Sequence, residues 1–128
     1  MSCQTTNLNG SIEFEVSFVS EGEATGRMPI QDGILNPFDT VHAGAMIWFA
    51  DVVATTLALQ GATPKPGMKG FPLAINLNAN MLSNSREGAL HAKAMFVKKG
   101  RTVSTVRTTV SSDEGKTMLD LTTTHIAS

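Results

Sequence analysis

The sequence predicts an α+β fold in which one antiparallel sheet of about six strands packs around one long helix, and three observations carry that prediction. A stretch of apolar and small residues, long enough for a helix, runs from Val41 to Leu59 with Asp51 as its only charged residue. Before it, Ser11 to Val19 alternates between apolar and polar residues. After residue 70 the chain reads as strands separated by short turn signals. Strands grouped on either side of one helix, rather than alternating with helices, suit a sheet covered by that helix.

Taken in order, Ile12, Phe14, Val16 and Phe18 alternate with Glu13, Glu15 and Ser17, the period of a half-buried strand. A weaker strand is expected over 23–30, after the Glu21-Gly22 turn. Residues 31–40 are rich in breakers and form a loop, and Thr40 or Asp39 can cap the helix by accepting a bond from an orphan amide. The helix extends to about Gln60, with Gly61 closing it. Beyond the Pro/Gly/Lys loop at 63–70, strands are expected at 72–82, 88–98, 101–112 and 116–126. The intervening turns, 84–88, 99–100 and 113–115, are short enough for hairpins, so these four strands are expected to form a meander. In the strand at 88–98, Leu90, Ala92, Ala94, Phe96 and Lys98 share one face, and His91, Lys93, Met95 and Val97 the other.

Composition narrows the function classes. The 128 residues suit one domain, 1–128, with 1–9 loosely attached, and 41% hydrophobic content is enough for a core. A net charge of −1, with basic residues scattered except at Lys98-Lys99-Gly100-Arg101, argues against nucleic acid as a partner. The single Cys3 excludes an internal disulfide framework and suits a reducing, cytoplasmic setting. His42, His91 and His125 are too far apart for a metal motif, and neither metal nor cofactor is expected. The polar N-terminus lacks the features of a signal peptide. Residues 41–59 could just span a bilayer, but the central Asp51, the threonines and the missing basic flanks argue for a buried helix and no membrane partner.

Asp51 needs a reason, because a carboxylate taken out of water costs several kcal/mol unless paired, hydrogen-bonded or protonated. The helix carries one stripe of Met46, Phe49, Ala50, Val53 and Leu57, and its opposite side, with Gly44, Ile47, Trp48, Ala54 and Ala58, is also apolar or small. Such a helix is expected to be buried all round, and one sheet covers only one side. A second copy of the chain is the simplest cover. At the helix start, His42, Ala43 and Gly44 offer amides suited to an oxyanion. Asp51 lies eight residues beyond Ala43, about 12 Å along the axis at roughly 1.5 Å per residue. The two cannot touch one reacting carbonyl, so a site using both draws them from two helices.

Asn36, His42-Ala-Gly and Asp51, followed by strands carrying Lys-Lys-Gly-Arg-Thr, resemble a hotdog-fold thioesterase of the phenylacetic-acid-degradation (PaaI-like) group, over about residues 10–126. That family shows an Asn, His-Gly-Gly six residues later, and an acid nine residues after the His, and both spacings are kept. The resemblance implies a sheet wrapped around a central helix, a homodimer and often a homotetramer, and hydrolysis of acyl-CoA at two sites between subunits. Carried over, it makes Asp51 the nucleophile or general base, Ala43 the oxyanion amide, and Asn36 a positioning group for water or thioester. His42 is then an anchor of the helix start rather than a base.

The chain also departs from the family. Ala43 replaces the first glycine of His-Gly-Gly, which keeps the amide but adds a methyl group. Asp39 stands where the family has Gly and suits a left-handed conformation better than most residues. The hydroxyl that many relatives carry after the helix falls at Ala74, with Asn76 or Thr55 as the candidate substitutes. Lys99 and Arg101, with Lys98, are candidates for CoA phosphates. Trp48, Phe49, Met46 and Met81 suggest an apolar or aryl acyl pocket. Hydratases on the same fold are disfavoured, because Ile34 stands where they need an acid two residues before the Asn. A non-catalytic acyl-CoA sensor is the rival from another class.

Overall fold

The structure is a computed structural model and describes residues 12–128. The readings for residues 1–9 and Cys3 lie outside those residues. The elements are β1 (Glu15–Ser20), β2 (Glu23–Pro29), a short 3-10 turn (Asp32–Ile34), α1 (Ala43–Ala58), β3 (Pro72–Met81), β4 (Ala89–Lys99), β5 (Val103–Ser111) and β6 (Thr117–Ala127). All six strands form one antiparallel sheet in the order β1-β2-β4-β5-β6-β3, and α1 packs across all of them.

Alternation decides which side chains meet the helix. In β4, Leu90, Ala92 and Ala94 are buried while His91, Lys93 and Met95 face out, as the period of two requires. In β6 the inward row is Leu119, Leu121, Thr123 and His125. From α1 the stripe of Met46, Phe49, Ala50, Val53 and Leu57 meets this surface and is fully buried. The closest approach is at Gly26 of β2, where a Cβ would come within 2.6 Å of Val53 and 2.8 Å of Phe49. Phe14 adds edge-on ring contacts to Trp48 and Phe49, with centroids 4.7 and 5.2 Å away.

The meander expected over 72–126 is corrected: only β4, β5 and β6 form one. β3 pairs with β6 at the far edge, and β4 pairs with β2. Residues 84–88 therefore form a crossover, not a hairpin. Asn84 fixes it, because its side chain accepts from the Val41 amide and donates to the Val41 carbonyl, both at 2.9 Å, as a neighbouring strand would. A short turn sequence fits either connection, and this clamp of 41 to 84 decides between them.

The helix ends also differ from expectation. Its cap is His42, whose Nδ1 accepts from the Gly44 amide at 3.2 Å, rather than Thr40 or Asp39. Thr40 is already engaged, since its hydroxyl accepts from Asn36 Nδ2 at 2.8 Å. At the other end both Gln60 (φ 52°) and Gly61 (φ 86°) are left-handed. Gln60 tolerates this because its amide donates to the carbonyls of Leu57 and Glu21. Nor is α1 buried all round: Trp48 remains 47% exposed, and Ala54, expected on the open side, is buried against the sheet.

Candidate active site around Asp51

Asp51 projects from the middle of α1, on the side away from the main core stripe. Its Oδ1 is cut off from solvent and has no hydrogen-bond partner among the described residues. Burial holds its carboxyl above the ordinary carboxylate value, with a smaller opposing pull from His125. A half-buried carboxylate left without a partner is poised to take or share a proton rather than to hold the fold together.

His125 is the residue that sequence reasoning missed. It faces the helix from β6, is buried, and has Nε2 2.8 Å from the Thr123 hydroxyl. Its Nδ1 lies 3.4 Å from the Pro72 carbonyl, which can only accept, so the proton sits on Nδ1 and Thr123 donates to Nε2. Burial pushes the imidazole below the usual histidine value. The available signal was a histidine continuing the apolar row Leu119, Leu121.

The loop before α1 uses its predicted residues to shape itself. Asn36 Oδ1 accepts from the amides of Phe38 and Thr40, and Asp39 adopts the expected left-handed conformation at φ 60°. His42 anchors the helix start. With the Gly44 amide taken by His42, the Ala43 amide at the exposed first turn has no acceptor among the described residues. Thr55 stands one turn after Asp51, and the two line one pocket on the outer face of α1.

The remaining candidates separate. A bulge at Ile75 in β3 switches the register, so Ala74 lies opposite His125 on the helix side while Asn76 pairs with Thr124 on the outer face. Lys99 donates to Gln60 Oε1 at 2.8 Å and lies over the Phe96 ring. With Arg101 and His125 it borders a cavity of about 230 Å³ near the C-terminal end of α1. Met46 and Phe49 are buried in the core. Trp48 meets Phe14 edge-on at the open side of the helix, and Met81 lies on the edge strand.

A family profile matches residues 1–126, nearly the whole chain. The chain belongs to the DUF4442 family, described as a domain of unknown function. No curated protein matches it. Among solved structures, a thioesterase from Haemophilus influenzae superposes with a TM-score of 0.79 at 20% identity, over 90% of this chain and 78% of that one. A variant thioesterase from Pseudomonas aeruginosa gives 0.79 at 22%, over 89% and 80%. A hypothetical thioesterase from Streptococcus pneumoniae, solved with coenzyme A, gives 0.78 at 16%, over 91% and 86%. These likenesses establish that this DUF4442 member has the hotdog fold. No helix among its described residues is long and apolar enough to cross a membrane.

Proposed function

We propose that this DUF4442 protein hydrolyses acyl-CoA thioesters at a site shared by two copies of the chain. The observation that carries the reading is the unpartnered, partly desolvated carboxylate of Asp51 on the central helix. Thioesterases among the fold neighbours, one of them a hypothetical thioesterase solved with coenzyme A, support the substrate class.

Asp51 and the free Ala43 amide lie eight residues apart on one helix, about 12 Å along its axis. One thioester carbonyl can meet both only if the amide comes from the other copy. The outer edge of β3 supports pairing of this kind: it is ten residues long, carries no charge, and exposes Leu73, Ile75, Leu77 and Met81. Long, uncharged edges are what proteins otherwise guard against or pair.

In the reaction, the Ala43 amide and the positive end of its helix stabilise charge as it develops on the thioester oxygen. Asp51 of the other copy either takes a proton from an attacking water or attacks the carbonyl to form a mixed anhydride, with CoA leaving as the thiolate. Thr55 orients the water, and Asn36 holds the loop beside the oxyanion amide. Lys99 and Arg101 meet the CoA phosphates.

The test is thiol release by Asp51→Asn. Turnover should fall by about two to four orders of magnitude, while acyl-CoA binding persists. Unchanged hydrolysis would remove Asp51 from the chemistry, and acyl-CoA binding with no hydrolysis by the wild type would favour the sensor. Oxygen-18 from labelled water entering the enzyme carboxylate in a single turnover indicates attack by Asp51.

A further inference from the structure

A concave pocket of about 450 Å³ opens along the outer face of α1, with Asp51 as its only charged lining group among the described residues. It runs from Asp51 at one end to Leu59 at the other, between Val52 on the helix, Val16 and Phe18 on β1, and Phe71 before β3. The Thr56 hydroxyl donates to the Val52 carbonyl at 2.7 Å, so that residue offers the pocket its methyl group. A channel without a cation suits the acyl part of a thioester and not its diphosphate.

Its length is set by the helix. Eight residues separate Asp51 from Leu59, which at roughly 1.5 Å each gives about 12 Å. Towards the far end Gln60 and Gly61 turn the chain left-handed, and Phe18 narrows the channel against Gly61, whose Cβ position lies 3.6 Å from its ring. An extended chain with bonds of about 1.5 Å advances about 1.25 Å per carbon, so about ten carbons span this distance. At roughly 30 Å³ for each water-sized group, ten occupy about 300 Å³. That is about two-thirds of the pocket, so a chain of this length has room inside it.

Resting on the thioesterase reading above, we propose that this pocket selects straight-chain acyl groups of medium length, about eight to ten carbons, with Phe18 as the residue that sets the limit. Phe18 is 38% exposed on β1, so changing it does not open the core.

The experiment measures kcat/KM by thiol release for straight-chain acyl-CoAs from acetyl to palmitoyl, with wild type, Phe18→Ala and Phe18→Trp. The expected wild-type maximum is at octanoyl or decanoyl, with a loss of about tenfold or more at palmitoyl. Phe18→Ala should move the maximum to longer chains and Phe18→Trp to shorter ones. A flat profile, a maximum at palmitoyl, or an optimum indifferent to both Phe18 variants would overturn the pocket assignment while leaving Asp51-dependent hydrolysis intact. Absence of hydrolysis for every chain would overturn both readings.

Discussion

Replacing Ala43 by proline would delete one hydrogen-bond donor and almost nothing else. Ala43 is the first residue of α1, where proline is favoured because its amide has no intrahelical acceptor. Proline also constrains the residue before it to extended conformations, and His42 already has φ −66° and ψ 132°. The Ala43 methyl is exposed, so the ring meets solvent. The capping bond from Gly44 to His42 is untouched. Removing a single oxyanion donor costs about 10²–10³ in kcat, or roughly 2.7–4 kcal/mol. Ala43→Pro should therefore lose that much turnover in a steady-state thiol-release assay while its thermal midpoint stays level or rises. Turnover within about threefold of wild type, far short of the loss expected for one donor, would refute the oxyanion role of this amide.

Other consequences concern stability. Burial raises the Asp51 pKa, so the stability tied to its neutral form is full below its ordinary value of 3.8 and is lost as pH rises through the higher folded value. Asp51→Asn should then melt higher than wild type at neutral pH, with the gap closing towards pH 3.8 in melting curves taken across pH. His125 has the opposite sign: its pKa is lowered, so its stabilising contribution is present above 6.5 and is lost as pH falls through the lower folded value. His125→Asn should flatten the acid limb of the same curves below that point, and an unchanged limb would exclude His125 as its cause. Gly26→Ala should destabilise by about 1–3 kcal/mol in urea unfolding, because its methyl would drive into Val53 and Phe49.

What was legible in the sequence follows from periodicity. The inward row of β4 from Leu90 to Phe96 and the helix stripe from Met46 to Leu57 emerge as read, because burial on one face leaves a regular trace, whereas Lys98, expected on the same row, is carried off it by a bulge after Phe96. Strand order does not, since the partner of β3 depends on how 82–88 crosses the sheet, and that is fixed by Asn84 holding Val41 from 43 residues away. Asp51 was visible as a lone charge among apolar residues. His125 was hidden because it stands 74 positions later in a strand otherwise readable as ordinary alternation, and only the fold brings the two within electrostatic reach. Which of the four apolar candidates are core was not legible for a related reason. Met46, Phe49 and Trp48 sit on the same helix as Asp51, but Met46 and Phe49 face the sheet, while Trp48 packs on Phe14.

The central claim, that each site joins Asp51 of one copy to the Ala43 amide of another, is tested most directly by co-expressing Asp51→Asn and Ala43→Pro chains under different tags and assaying the mixed species. Neither variant alone retains a complete site, but a mixed dimer contains one site with both wild-type groups and one with neither. Purified mixed dimers should recover about half of wild-type turnover, one intact site of two. Mixed dimers no more active than the two parent variants would contradict a site shared between copies.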